Sequence, residues 1–393
     1  MTGIYLDHCA TTPVRPEVLK EMLPFLRGGF GNPSSIHAHG RAAKGAVDTA
    51  REKAAALIGA SPGEILFTSG GTESDNLAIR GIAEACSSRG RHIVTSAIEH
   101  TAVLNTCRLL ERQGFRVTYV PVDPQGLVDP GKVAQSLGAD TVLVSIMHGN
   151  NEIGTIEPIE EIGRETRSRG ITFHTDAVQT AGKIPVDVGR LSADLLSFSS
   201  HKINGPQGIG ALYVRSGVTI SPLLTGGRQE NGLRAGTENV PAIAGFGKAC
   251  ELAAQDIPSR MELMGSLRDL LQLRLLEACP DLRVNGHPQH RLPHILSVSI
   301  GGIPAEDIVR DLDRQGLEIS AGSACTAGKV KVSHVMEALG LPPDIAQGTV
   351  RFSVGLGSTR KEIIRAAGIF AATIEKLKVM RELEGSLGGR RCV

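Results

Sequence analysis

The chain of 393 residues contains no tryptophan and only 3 tyrosines. Aromatic stacking therefore cannot dominate its core, which must be built from Leu, Ile, Val and Ala. Charge of one sign is not in excess. There are 42 Lys and Arg against 41 Asp and Glu, a formal net charge of +1. That balance argues against a nucleic-acid coat or a polybasic membrane anchor. No stretch approaches ~18 uninterrupted apolar residues, so no membrane-spanning helix is expected. The opening residues, MTGIYLDHCATTPV, lack a basic stretch followed by an apolar run. No secretory signal is read there, and a cytoplasmic location is expected. Cysteine is present but unpatterned. The seven are Cys9, Cys86, Cys107, Cys250, Cys279, Cys325 and Cys392, an odd count without C-x-x-C spacing. This argues against a disulfide framework or structural zinc site and points to reduced thiols in a reducing compartment. No G-x-x-x-x-G-K-[ST] occurs either, which removes the Walker phosphate loop.

Glycine, by contrast, is abundant at 47 residues, as tight turns and close backbone approaches require. The length favours two domains. From Glu64 onward, short β-rich runs alternate with helical ones. The runs are EILFTSG, RHIVTSA, RVTYVPV, DTVLVSIMH, ITFHTDA, DLLSFSS and GALYVRS. Several are almost continuously apolar, as strands buried on both faces are. The expected fold is α/β, a mainly parallel seven-stranded sheet between helices. The short Gly-rich link between the last two runs allows one antiparallel strand. A long polar helix is expected over 240–278. Beyond it HILSVSI, GLEISAG and TVRFSVG read as strands and AEDIVRDLDRQ and SHVMEALG as helices, before a long amphipathic helix over 359–383. This is expected to be a second, smaller α+β domain. The division places a large domain at 15–255 and a small one at 256–393, with 1–14 packing near the site. The tail GSLGGRRCV is expected to fray.

Functional residues of parallel sheets collect at the C-terminal strand ends. Here those ends carry Ser69-Gly70-Gly71-Thr72, His100, His148-Gly149-Asn150-Asn151, Asp176 and Ser199-Ser200-His201-Lys202. The first joins a strand to a helix, where free N–H groups and the dipole suit a phosphate; a plain N-cap is the alternative. Asp176 and Lys202 end successive strands, so an acid and an amine can face one cavity. A buried salt bridge is one reading. A pyridoxal phosphate site is the other, with Lys202 as Schiff-base amine and Asp176 keeping the pyridine nitrogen protonated. Ser199 and His201 could then hold the phosphate, and His100 could stack on the ring or be a solvated loop histidine. Cys325 lies in SAGSACTAGKVK, among small residues with Lys329 and Lys331 beyond. Such a stretch is expected to be mobile, and nearby cations favour the nucleophilic thiolate. In TVRFSVG, alternation sets Val350, Phe352 and Val354 against Thr349, Arg351 and Ser353. Arg351 suits carboxylate binding, although from this strand alone a surface salt bridge is the favoured reading.

Together YLDHCATTP, FGNPSS, FTSGGTESDNLAI, EHTAVL, SIMHGNNEIG, HTDAVQTAGK, SFSSHKINGPQGIGALYVR, RAGTENVP, SAGSACTAG and VRFSVG resemble the cysteine desulfurases, specifically the iron–sulfur-cluster and nitrogen-fixation type. The resemblance runs in order from Tyr5 to Gly357. It implies the fold of class V aminotransferases, type I pyridoxal-phosphate enzymes that are usually homodimers. It implies pyridoxal 5'-phosphate on Lys202, with Asp176 at the ring nitrogen and Gln179 at the ring oxygen. Gly71, Thr72, Ser199 and His201 would hold the phosphate, and Thr237 would reach the phosphate of a neighbouring subunit. Asn151 and Arg351 would hold the L-cysteine carboxylate. His100 would stack on the ring and help move protons. Cys325 would accept sulfur as a persulfide for an acceptor such as an iron–sulfur cluster scaffold, and could transiently ligate a cluster with that scaffold. No resident metal, nucleic acid or membrane is implied. The chain departs from its relatives after Cys325, where two lysines replace an acidic-proline pair. An aminotransferase or selenocysteine lyase would need Lys202 but not Cys325 as acceptor. A non-catalytic scaffold fits poorly with an intact Lys202, Asp176 and phosphate turn, and a nucleotide-binding protein would need a magnesium carboxylate as well.

Overall fold

The computed structural model describes residues 3–322 and 332–388, with side chains described to 383. The seven β-rich runs form β1 (Ile65–Thr68), β2 (His92–Ser96), β3 (Arg116–Val120), β4 (Thr141–Ser145), β5 (Thr172–Asp176), β6 (Leu195–Ser199) and β7 (Gly210–Val214). They make one sheet in the order β1-β7-β6-β5-β4-β2-β3. Only β7 runs against its neighbours β6 and β1. The other six therefore end at one edge.

Alternation along the strands serves two cores. Ile93, Leu143, Leu195 and Leu212 face one side, where they meet Leu77, Ile79 and Ile82 of helix α1 (Gly71–Ala85). Val94, Val144, Leu196 and Ala211 face the other, against the helix Ala38–Leu57 and the first half of α2 (Val240–Ala278). Phe246 of α2 is buried there, tilted against Phe198 at 5.4 Å between ring centroids. Fully burying such a ring contributes ~1.5–3 kcal/mol. The helix expected over 240–278 is thus present, but its inner face is apolar. Met264, Leu267, Leu271 and Leu275, spaced three or four apart, feed a second core.

That second core lies under an antiparallel sheet of β8 (Arg283–Asn285), β9 (Ile295–Ser299) and β10 (Thr349–Ser353), with β9 central. Leu296, Val298, Val350 and Phe352 meet Ile363, Ala366, Phe370 and Ile374 of the final helix, α3 (Arg360–Gly388). GLEISAG adds no full strand to this sheet but meets its β10 edge through an antiparallel bridge between Ser320 and Arg351. Its Leu317–Glu318 pairs in parallel with Ile4–Tyr5, and Asp7 bridges to Ser353. Residues 4–10 are thereby stitched beside the strand ends of the large sheet. No helix among the described residues is long and apolar enough to cross a membrane.

Candidate active site

At the edge where the six strands end lies a cavity of about 440 Å³. It is lined by Gly71, Thr72, His100, Asn151, Asp176, Gln179, Ser199, His201, Lys202 and Arg351, all anticipated from the strand ends and motifs. It sits beside the point where the order reverses, since β4 lies between β2 and β5 while β3 lies outside β2. Splayed loops at such a switch point open a crevice.

One end is built from α1. Its N-cap, Gly70, has φ +149° and offers no side chain to cap the helix. A Cβ on Gly71 would come within 2.6 Å of Val178 Cγ2. The first-turn amides are therefore left for a ligand. Ser199 Oγ, buried nearby, has no hydrogen-bond partner among the described residues. His201 Nδ1 lies 3.1 Å from Thr11 Oγ1. This cradle suits a phosphate.

Lys202 follows β6 in a single turn of 3₁₀ helix, Ser200–Lys202. Its Nζ donates to the carbonyls of Cys9 and, at 2.7 Å, of Ala10. Burial is the main cause that lowers its pKa to about 8, and the Arg351 charge adds to it. Asp176, at the end of β5, accepts from Val178 N–H at 2.9 Å. Burial raises its pKa, opposed by His100, that N–H and Lys202. The two residues share one cavity, as a cofactor-binding pair requires.

His100 caps the helix Thr101–Arg112, its Nδ1 accepting from Ala102 N–H at 3.2 Å. That bond assigns the neutral ring's proton to Nε2. Gln179 donates to Cys9 O at 3.1 Å. Arg351 is buried, not a surface residue. It donates to Asp7 Oδ1 at 2.7 Å and Asn151 O at 2.9 Å, and its Nε has no partner among the described residues. Both faces of β10 are covered, one by the small core and the other by the N-terminal segment, so its polar face is not a solvent face.

Comparison with known proteins agrees with this geometry. Residues 4–365 match the family described as Aminotransferase class-V. Cysteine desulfurase IscS of Dictyoglomus turgidum is 49% identical over 377 residues, 96% of this chain and 96% of that protein. The chain belongs to the cysteine desulfurases. A solved NifS-like protein superposes with a TM-score of 0.90 at 39% identity, covering 95% of this desulfurase and all of that chain. SspA in complex with cysteine gives 0.78 at 39% identity, covering 89% and 98%.

One anticipated residue of the desulfurase, Thr237, stands apart from the cavity, and another falls outside the described residues. Thr237 lies in a separate cleft with Ser69, Gly208, Glu230 and Arg234, next to the start of α1. Cys325, with Lys329 and Lys331 and the mobility expected of their segment, lies outside the described residues. Ser320, Gly322 and His334, on either side of it in the chain, line the cavity.

Two acids were not anticipated. Asp75, in the first turns of α1, is fully buried, and its carboxylate, that of Asp176 and the His100 ring each bring one atom within 4.8 Å of the others. Burial raises its pKa well above the ordinary range, and the Asp176 charge adds to this. Two carboxylates so close and so dry do not both ionise, so the pair holds a proton between them. Glu99 is also buried. Burial pushes its pKa up to about 8 despite hydrogen bonds from Ser96 Oγ at 2.6 Å and Met147 N–H at 3.0 Å. Position in α1 or beside His100 hints at nothing, because burial is decided by tertiary packing.

The Glu99 shift has a testable sign. Between the ordinary 4.5 and about 8 the folded chain keeps this proton and the unfolded chain loses it. Its contribution to stability therefore falls as pH rises through that window. Glu99→Gln mimics the protonated acid and is expected to flatten that decline. Thermal unfolding of both proteins across the window checks it; parallel curves would show that Glu99 does not titrate in this way.

Proposed function

We propose that this desulfurase binds pyridoxal 5'-phosphate and converts L-cysteine to L-alanine, with the sulfur passing to Cys325 as a persulfide. One observation carries the reading. Asp176 and Lys202 open onto a single cavity that ends at an uncapped helix N-terminus. A ring nitrogen, an aldehyde and a phosphate find their partners there. Lys202 would hold the aldehyde carbon, Asp176 the ring nitrogen and Gln179 the ring oxygen. The α1 amides of Gly71 and Thr72, Ser199 and His201 would hold the phosphate. His100 would cover the ring face. When bound, the cofactor accepts the electron pair left at the substrate Cα on loss of its proton.

This chain's own groups do the rest. Arg351, with Asn151 beside it, orients the substrate carboxylate by paired N–H donors. Lys202 Nζ, its pKa lowered by burial to about 8, takes the Cα proton and can return one to carbon. Cys325 thiolate attacks the substrate sulfur. An S–S bond forms as the substrate C–S bond breaks, and that bond's electron pair stays with carbon. Protonation of this carbon gives the methyl group of alanine. His100 Nε2 is placed to move a proton at the same face.

The reading extends to a cytoplasmic homodimer. Thr237 would reach the phosphate of the second copy from its own cleft beside α1. Phe30 and Ile36, 71% and 91% exposed, are apolar side chains that a second copy would cover. An iron–sulfur cluster scaffold or another thiolation carrier would receive the sulfur.

The deciding experiment is an absorption spectrum of the purified protein, followed on adding L-cysteine, with alanine and sulfide assayed in parallel. A visible chromophore that L-cysteine perturbs, with alanine produced, is expected. A colourless protein that does not gain colour with added pyridoxal phosphate would overturn the reading.

A further inference from the structure

A second, small cavity of about 20 Å³ also reaches Lys202. Its polar lining joins the basic groups of His8, Lys183, Lys202, Arg260 and His294 to the neutral Thr12 and Asn204, and no Asp or Glu lines it among the described residues. Arg260, from the middle of α2, is only 3% exposed. Its Nε and Nη2 have no hydrogen-bond partner among the described residues. Asp256 forms an ion pair with it at 3.7 Å from Nη2, too long for a hydrogen bond, but lies outside the cavity lining and is shared with Arg15, which it meets at 2.9 Å. His8 Nδ1 and His294 Nδ1, both buried, are also unpaired. Lys183 donates to Gln179 Oε1 at 3.0 Å and lies 2.9 Å from His294 Nε2, so its partners carry no charge.

A guanidinium does not surrender its proton, so a buried one needs an acceptor, and a counter-charge as well. A water molecule would supply an acceptor but would leave Arg260 to share the half-exposed Asp256 carboxylate with Arg15. The space limits what can meet both. A cavity needs ~10–15 Å³ to admit one water-sized particle, so one this small favours a small anion over a bulky one.

We propose that the cavity bounded by Arg260, Lys183 and His294 binds one small monovalent anion, a halide or hydrosulfide ion. Arg260 supplies the fixed charge and the imidazole and ammonium groups complete the shell. The lowered pKa values of Lys183, about 7, and Lys202, about 8, agree with a basic cluster that burial leaves short of negative charge. The occupant faces Lys202 from within and favours its ammonium form. The site thereby sets how readily that amine is freed.

Crystals of the holoenzyme soaked in sodium bromide test this at the bromine absorption edge. One anomalous peak within hydrogen-bond reach of Arg260 Nε is expected, and density there without anomalous signal would identify a water and overturn the proposal. In solution, bromide at constant ionic strength, balanced with gluconate, is expected to raise the melting temperature in a saturating way. Arg260→Gln should weaken this at least ~10-fold, the loss expected for a charge-assisted hydrogen bond. Arg260→Met is the second variant, should the first not fold. An equal bromide response in wild type and variant would also overturn the proposal. Hydrosulfide added to bromide-soaked crystals separates the two sources. Loss of the peak supports hydrosulfide as an occupant, and its persistence supports halide.

Discussion

Lys202→Ala is expected to lower the rate of alanine formation from L-cysteine by ~10⁴-fold or more, the scale on which loss of a reacting group acts. The argument rests on where the ammonium sits. An exposed lysine keeps its proton at neutral pH. Lys202 is half-buried in the turn after β6 and held by the carbonyls of Cys9 and Ala10, which orient Nζ but cannot neutralise it. With its pKa lowered to about 8, roughly a tenth of the amine is free base at pH 7. That fraction can attack an aldehyde and later take a proton from carbon. Lys202→Arg keeps a cation in place but cannot release its proton, so it should be as inactive as Lys202→Ala. Both variants should lose the absorption of the lysine-bound cofactor. Near-normal alanine formation by either would remove Lys202 from the chemistry.

Cys325→Ala is expected to separate two events that the wild type couples. Binding of L-cysteine, followed by the spectral change it causes, should persist, because Asp176, Lys202 and Arg351 are untouched. Formation of persulfide and alanine should fall by ~10³-fold, since no other thiol in the sequence has its loop context. Cys9 lines the same cavity and is the one described thiol that could substitute. The double variant Cys9→Ala, Cys325→Ala measures any such residue of activity. A transaminase would not respond to Cys325→Ala at all, so undiminished turnover would return the chain to that reading.

All seven strands of the large sheet were legible because each is a short, nearly continuous apolar run closed by polar or small residues. Those closing residues also disclosed the site, since parallel strands end together. The pairing of Ile4–Tyr5 was not legible, because two residues form a strand only by virtue of the partner at Leu317–Glu318. Arg283–Asn285 is short and half polar for the same reason. The burial of Arg351 follows from Asp7 and the N-terminal segment lying over it, and alternation within TVRFSVG cannot reveal that cover. Asp75, Glu99 and Arg260 look in sequence like solvated charges on helices or loops. Each is buried by packing between distant segments, and each gains its chemistry from that burial.

The stitch between Ile4–Tyr5 and Leu317–Glu318, and between Asp7 and Arg351, has a consequence for biosynthesis. The backbone carbonyls that steady Lys202 belong to the first ten residues, yet those residues have no strand to lie against until residue 317 has left the ribosome. At ~5–20 residues per second, the ~310 residues that separate this segment from its partners take on the order of 15–60 s to emerge. The large sheet can form during that interval, while its reactive amine remains unguided. An N-terminal fusion that slows this last docking step would be felt as delayed maturation of the enzyme, with the finished fold unchanged.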